Sequence, residues 1–111
     1  MAENLETKAF DMISLAGEGL DVVYQAMEAA READFARAQA LLNEAQDSLN
    51  KAHQIQARLL FDELNGDAVK MNMLITHAQD QLQSSLMAHR FASEIIMLYE
   101  ALSLREGQDR E

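Results

Sequence analysis

His77 and Asp80 stand three residues apart in a long, proline-free stretch with helical patterning. A neutral imidazole is a competent nucleophile near pH 7 and can carry a phosphoryl group. A carboxylate one turn away opposes that role: two unit charges about 5 Å apart repel by roughly 3 kcal/mol at an effective dielectric of 20. The pair therefore serves a phosphoryl site only if the aspartate is turned away or its charge is compensated. His77, Asp80, Ser84, Met87 and Phe91 recur at steps of three and four and share one helical face. The plain reading of that face is a solvated or interface surface with incidental polar residues, and spacing alone favours it. One His and one Asp supply at most two metal ligands per chain, too few for a zinc site. Around a threefold axis, three copies of Asp80 would meet, and buried carboxylates without partners take up a proton or bind a cation.

Phosphoryl transfer asks a protein mainly for in-line placement and for groups that stabilise three equatorial oxygens. Thr76, Gln79, Gln81 and Ser84 are the nearby donors, no arginine lies within a turn of His77, and Lys70 is two turns away. Such a site holds the group loosely or takes its counter-charge from a partner, which suits a relay better than a hydrolase. The other histidines read more simply, His53 as a packing or surface residue and His89 as a structural one on an apolar seam. Tyr24 and Tyr99 have no catalytic companion, and the methionines read as core filler. No Glu-x-x-His pair is present, which removes the di-iron bundle pattern. There is no Gly-Lys-Ser/Thr phosphate loop and no nucleophile elbow.

Composition sets the class. The 111 residues fit a single domain spanning 1–111, with no proline, no cysteine and only 4 glycines. Strong helix formers dominate, so the expected class is all-α. The absence of cysteine excludes disulfides and thiol chemistry. A net charge of -10 argues against a nucleic-acid partner and an anionic membrane surface. No apolar run reaches the roughly 18 residues of a membrane span, and no signal-peptide pattern opens the chain. A cytoplasmic protein is expected.

Three helices are expected, over about 3–32, 34–64 and 67–105. The first seam is Ala9, Ile13, Ala16, Leu20, Val23, Met27 and Ala30, with Gly17 and Gly19 as close-packing points. Asp34 is the N-cap of the second, whose seam is Ala38, Leu42, Ala45, Leu49, Ala52, Gln56 and Leu59. Asn65-Gly66-Asp67 supplies a stop, a left-handed cap and a new N-cap. The third seam is Met71, Ile75, Ala78, Leu82, Ser85, His89, Ala92, Ile96 and Tyr99, and residues 105–111 are expected to fray. The third helix also carries Met73, Leu74, Leu86, Met87, Phe91, Ile95 and Leu98 off its seam. A monomeric bundle would leave part of that second stripe wet, so a homo-oligomer is expected.

The segment Ile75-Thr76-His77-Ala78-Gln79-Asp80-Gln81-Leu82 resembles the phosphorylation-site helix of a known family. That family is the IIA component of the lactose/cellobiose (chitobiose) branch of the bacterial phosphoenolpyruvate-dependent sugar phosphotransferase system. Ala33-Asp34-Phe35 stands where Gly-Asp-Phe is common in the family, and Ala52-His53 followed by Gln56 also matches. The resemblance covers roughly residues 5 to 104. It implies three antiparallel helices per subunit, up-down-up, in a homotrimeric nine-helix bundle. It implies that His77 accepts a phosphoryl group from the histidine-containing phosphocarrier protein and passes it to a cysteine of the IIB component. It implies that Asp80 binds a divalent metal ion, magnesium being the expected species, on the trimer axis. Gln79 and Gln81 are the expected hydrogen-bond donors to the phosphoryl group. Gln81 stands where the family often has histidine, so it donates a hydrogen bond without a positive charge. The sugar is selected by the membrane component and is not legible here.

A second reading is a helical-hairpin adaptor that binds a peptide without phosphotransfer, suggested by the segment from Asp34 to Ala45. A repeat array needs at least about three units, and one is visible. An apolar rim of Leu74, Ala78 and Leu82 around His77 is the expected docking surface.

Overall fold

A computed structural model describes residues 5–66 and 72–109. Helix α1 spans Leu5–Arg31, α2 Phe35–Leu64 and α3 Met73–Asp109. The expected helix start at Asp67 and the seam residue Met71 lie outside the described residues. What α3 does show is an N-cap at Asn72, whose side-chain oxygen accepts from the Ile75 amide at 2.9 Å. The tail was expected to fray from Arg105, but α3 continues to Asp109.

The α1–α2 link is a tight helix stop. The Ala33 amide donates to Ala30 O (3.0 Å) and the Asp34 amide to Ala29 O (2.9 Å), the paired bonds of a Schellman motif. The motif needs a left-handed residue, and Ala33 takes φ 61°. Asp34 then turns to cap α2, accepting from the Arg37 amide at 3.2 Å. At the other end Gly66 takes φ 92° after the α2 C-cap Asn65, as its sequence position suggested.

Two clusters make the core. One joins Ala9, Met12 and Ala16 of α1 to Leu49, Ala52 and Leu59 of α2 and to Ile75, Ala78 and Leu82 of α3. The other joins Val22 to Ala30 of α1 with Ala38 to Ala45 of α2 and Ala92 and Ile96 of α3. The early part of α1 thus meets late α2 and early α3, so α2 runs antiparallel to its two neighbours, up-down-up. The bundle measures 66 × 20 × 20 Å, the length set by α3, whose 37 residues give about 56 Å at 1.5 Å per residue.

The seam residues occupy the core, but α1 buries more than one seam. Met12, Gly19, Val22, Ala26 and Ala29 are buried as well, because α1 packs against both other helices. Gly19 is where α1 and α2 come closest: a Cβ there would stand 2.8 Å from the buried Leu49 side chain and 3.3 Å from Ala45 O. A Cβ at Gly17 would meet nothing within 4 Å, so Gly17 is not a packing point within the chain. Between the clusters Ser85 is fully buried, with no hydrogen-bond partner for its hydroxyl among the described residues. His89 sits one turn on, its Nε2 3.0 Å from Leu42 O of α2, a structural role in keeping with its seam position.

Left-handed backbone costs a residue with a Cβ roughly 1–2 kcal/mol, so Ala33→Gly is expected to raise stability by about 1 kcal/mol. Chemical denaturation of the two proteins measures the difference.

Candidate functional site

α3 carries the site, and its start positions it. With Asn72 as the cap, His77 lies just beyond the first helical turn. The free amides and aligned dipoles of a helix start favour negative charge nearby, with the effect fading over that turn. His77 is exposed, and its side chain makes no hydrogen bond or ion pair with any described residue. An accessible ring with free nitrogens is what a group exchanged between proteins requires.

The neighbours divide by face. Gln81 lies one turn after His77 on the same flank and is half-buried. Gln79 is rotated about 200° from His77 and lines a groove of about 370 Å3 against α2, with His53, Gln56, Leu60 and Glu63. Within one chain the structure therefore brings Gln81 toward His77 and sends Gln79 to the α2 side. Asp80 and Ser84 are exposed on the outward face. Among the described residues no group of three or more His, Cys, Asp or Glu side chains could hold a metal ion. One chain thus presents a single carboxylate at this point.

The expected apolar rim needs correction. Ala78 and Leu82 are fully buried in the lower cluster, and Leu74 is half-buried against it. Ala78 and Leu82 face the core, so they cannot ring an exposed imidazole; Leu74, one turn before His77, sits at the core edge. The exposed apolar surface is the outward stripe instead: Met73, Met87, Phe91, Ile95, Leu98 and Leu102. Leu86, expected on that stripe, packs on the core edge with Leu74. Sequence reasoning missed Asn72 as the cap, because Asp67 offered the same chemistry beside Gly66. It also missed Arg90, which lines a groove of about 620 Å3 with Gln46 of α2; a lone exposed arginine has no pattern to reveal it.

The nearest described cation on α1 is Lys8, and its Nζ is 3.8 Å from Asp62 of α2. Within α3 no lysine or arginine lies within a turn of His77.

The helix that bears His77 also bears the match to known proteins. Residues 7–100 match the family model described as the PTS system, lactose/cellobiose specific IIA subunit. The chain is 33% identical over 101 residues to the N,N'-diacetylchitobiose-specific EIIA component of Escherichia coli strain K12, covering 91% of this chain and 87% of that protein. It is 35% identical over 107 residues to the lichenan-specific phosphotransferase enzyme IIA component of Bacillus subtilis strain 168, covering 96% and 97%. Among solved structures, the cellobiose-specific enzyme IIA of Bacillus anthracis superposes with a TM-score of 0.88 at 28% identity, over 94% of this chain and 95% of that one. The IIA(chitobiose) chain of an Escherichia coli IIA(chitobiose)–HPr complex superposes with a TM-score of 0.81 at 31% identity, over 92% and 99%.

Because Leu74 is packed on the core rather than free, Leu74→Asp is expected to destabilise the bundle by about 1–2 kcal/mol. A lowered melting temperature, read by circular dichroism, checks this.

Three helices in up-down-up order, an exposed histidine at the head of the third, and a match across nearly the whole chain lead to one assignment: this protein belongs to the lactose/cellobiose-specific IIA family of the sugar phosphotransferase systems.

Proposed function

We propose that His77 is the phosphoryl acceptor of this IIA component, loaded by the histidine-containing phosphocarrier protein and unloaded onto a cysteine of the IIB component. The observation that carries the proposal is an exposed imidazole near the start of α3, without a partner among the described residues. In the first step a ring nitrogen of His77 attacks phosphorus, and the N–P bond to the carrier's histidine breaks as the new N–P bond forms. In the second, the IIB thiolate attacks the same phosphorus and His77 leaves. The relative solved together with HPr supports the first partner. Among the described residues no helix is long and apolar enough to cross a membrane.

The active unit is a homotrimer. The outward stripe of α3 leaves Met87 and Phe91 each 59% exposed and Leu98 60% exposed, and no other described part of the chain covers it. Packing three copies along that stripe removes it from water. Asp80 lies on the same face, so trimerisation brings three carboxylates together. Their oxygens suit a magnesium-like cation, which supplies charge compensation when bound and relieves the repulsion between Asp80 and a phosphoryl group on His77. Gln81 of the same copy is placed to donate to that group. Gln79 stands on the opposite flank of α3, where only a neighbouring copy's His77 could use it.

When the chain is incubated with phosphoenolpyruvate, enzyme I and the phosphocarrier protein, one acid-labile, base-stable phosphate per chain is expected, and none on His77→Ala. Label retained by His77→Ala would end the proposal. Asp80→Asn is expected to free the trimer from its need for a divalent ion. Chelation should lower the melting temperature of the wild type and leave the variant's unchanged.

A further inference from the structure

Two flanks of this bundle carry complementary groups that a single chain cannot bring together. On α1, Tyr24 is 59% exposed, and Asp21 and Glu28 stand beside it at steps of three and four, also exposed. All three therefore share one face. That face is turned from α2: Gly19 and Lys8, which meet Leu49 and Asp62 of α2, lie about 140° and 160° round the helix from Tyr24. Neither carboxylate has an ion pair among the described residues.

On α3, Arg90 is the only lysine or arginine between Asn72 and Leu104. It is exposed, unpaired among the described residues, and lines the groove shared with Gln46 of α2. Thirteen residues separate it from His77, a rotation of about 220°, so it occupies the flank of α3 away from His77. It cannot reach Tyr24 of its own chain.

The heights nevertheless match. Val22 to Ala30 of α1 share a cluster with Ala92 and Ile96 of α3, and the two helices run parallel, which places Tyr24 and Arg90 at about the same level along the bundle. Rotation about a threefold axis along the outward face of α3 preserves height. It also turns the α2-side flank of one copy toward the α1-side flank of the next. An interface of this head-to-tail kind closes into a ring when the rotation does.

We propose that Arg90 of each copy docks on the Tyr24 face of the next, its guanidinium over the ring and between the carboxylates of Asp21 and Glu28, three times around the trimer. The occupant of this face is thus a second copy of the chain, selected by charge: the one cation in this stretch of α3 meets an aromatic flanked by two anions. This contact rests on the trimeric reading and adds to the apolar stripe a polar lock that fixes which flank meets which.

Charge reversal tests it. Sedimentation equilibrium would compare the wild type, Arg90→Glu, Glu28→Arg and the combined swap, with circular dichroism confirming the helical fold of each. Arg90→Glu is expected to weaken trimerisation on the order of tenfold or more, since three exposed contacts are lost at once. The combined swap should recover most of that loss. A wild-type trimer indifferent to Arg90→Glu, or a swap no tighter than the single variants, would overturn the contact alone. A wild type that never exceeds one chain per particle would remove the trimer and the contact together.

Discussion

α3 is apolar on two sides, and the chain can cover only one of them. Ile75, Ala78, Leu82, Ala92 and Ile96 face the core and are buried to within a few per cent. The opposite stripe from Met87 to Leu102 has neither α1 nor α2 over it. A slender bundle 20 Å across has little interior to spare, and an apolar stripe pointing outward is a cost that association would relieve. The position of His77 follows from this division. It lies on the shoulder of the outer stripe, five turns before Ile95 and in line with it, where its side chain is exposed.

That shoulder also explains how little the chain offers a phosphoryl group. No lysine or arginine of α3 stands within a turn of His77, and Lys8 of α1 is engaged with Asp62 of α2. The helix start capped by Asn72 and the amide of Gln81 are neutral or partial-charge partners. A carrier that bound the phosphoryl group tightly would be loaded easily and emptied poorly. In the relay proposed above, weak, mostly dipolar stabilisation would keep the energies of receiving and giving close to each other, leaving the charged contacts to whichever protein is docked.

Much of the fold was legible because helical periodicity reports burial directly. The α2 seam from Ala38 to Leu59 is buried throughout except for the half-buried Gln56. The α3 seam held equally well from Ile75 to Ile96, where only His89 is half-buried. The α1 seam was too narrow, since a helix wedged between two others buries a face wider than one heptad line; Met12, Val22 and Ala26 fall in that extra width. Asn72 caps the described head of α3 with the same chemistry the sequence offers at Asp67, which lies outside the described residues. The supposed rim of Ala78 and Leu82 conflicts with the seam itself: residues that face the core cannot also surround an exposed ring. Arg90 and the division of Gln79 from Gln81 depend on which helix lies to which side, a matter of tertiary arrangement that periodicity along one helix does not encode.

Asp80 and Ser84 interrupt an otherwise apolar outer stripe, and leucine at either place would bury more surface in the trimer proposed above. An apolar stripe with residues repeating at similar steps tolerates sliding, since moving one copy by a turn exchanges one large side chain for another at little cost. A polar position within it does not tolerate such sliding: shifted by two turns, Asp80 would be set against the Met73 or Met87 level of its neighbours, a carboxylate in apolar surroundings with no partner. Aligned at one height, the three carboxylates share a single cation or proton instead. Polar positions in helical interfaces fix register in this way at some expense of stability. For a relay site set on the shoulder between copies, register is the quantity that matters, because it decides which groups of the next copy stand opposite His77. The aspartate that looked like a poor neighbour for a phosphoryl group is, in this arrangement, what keeps the surroundings of that group constant.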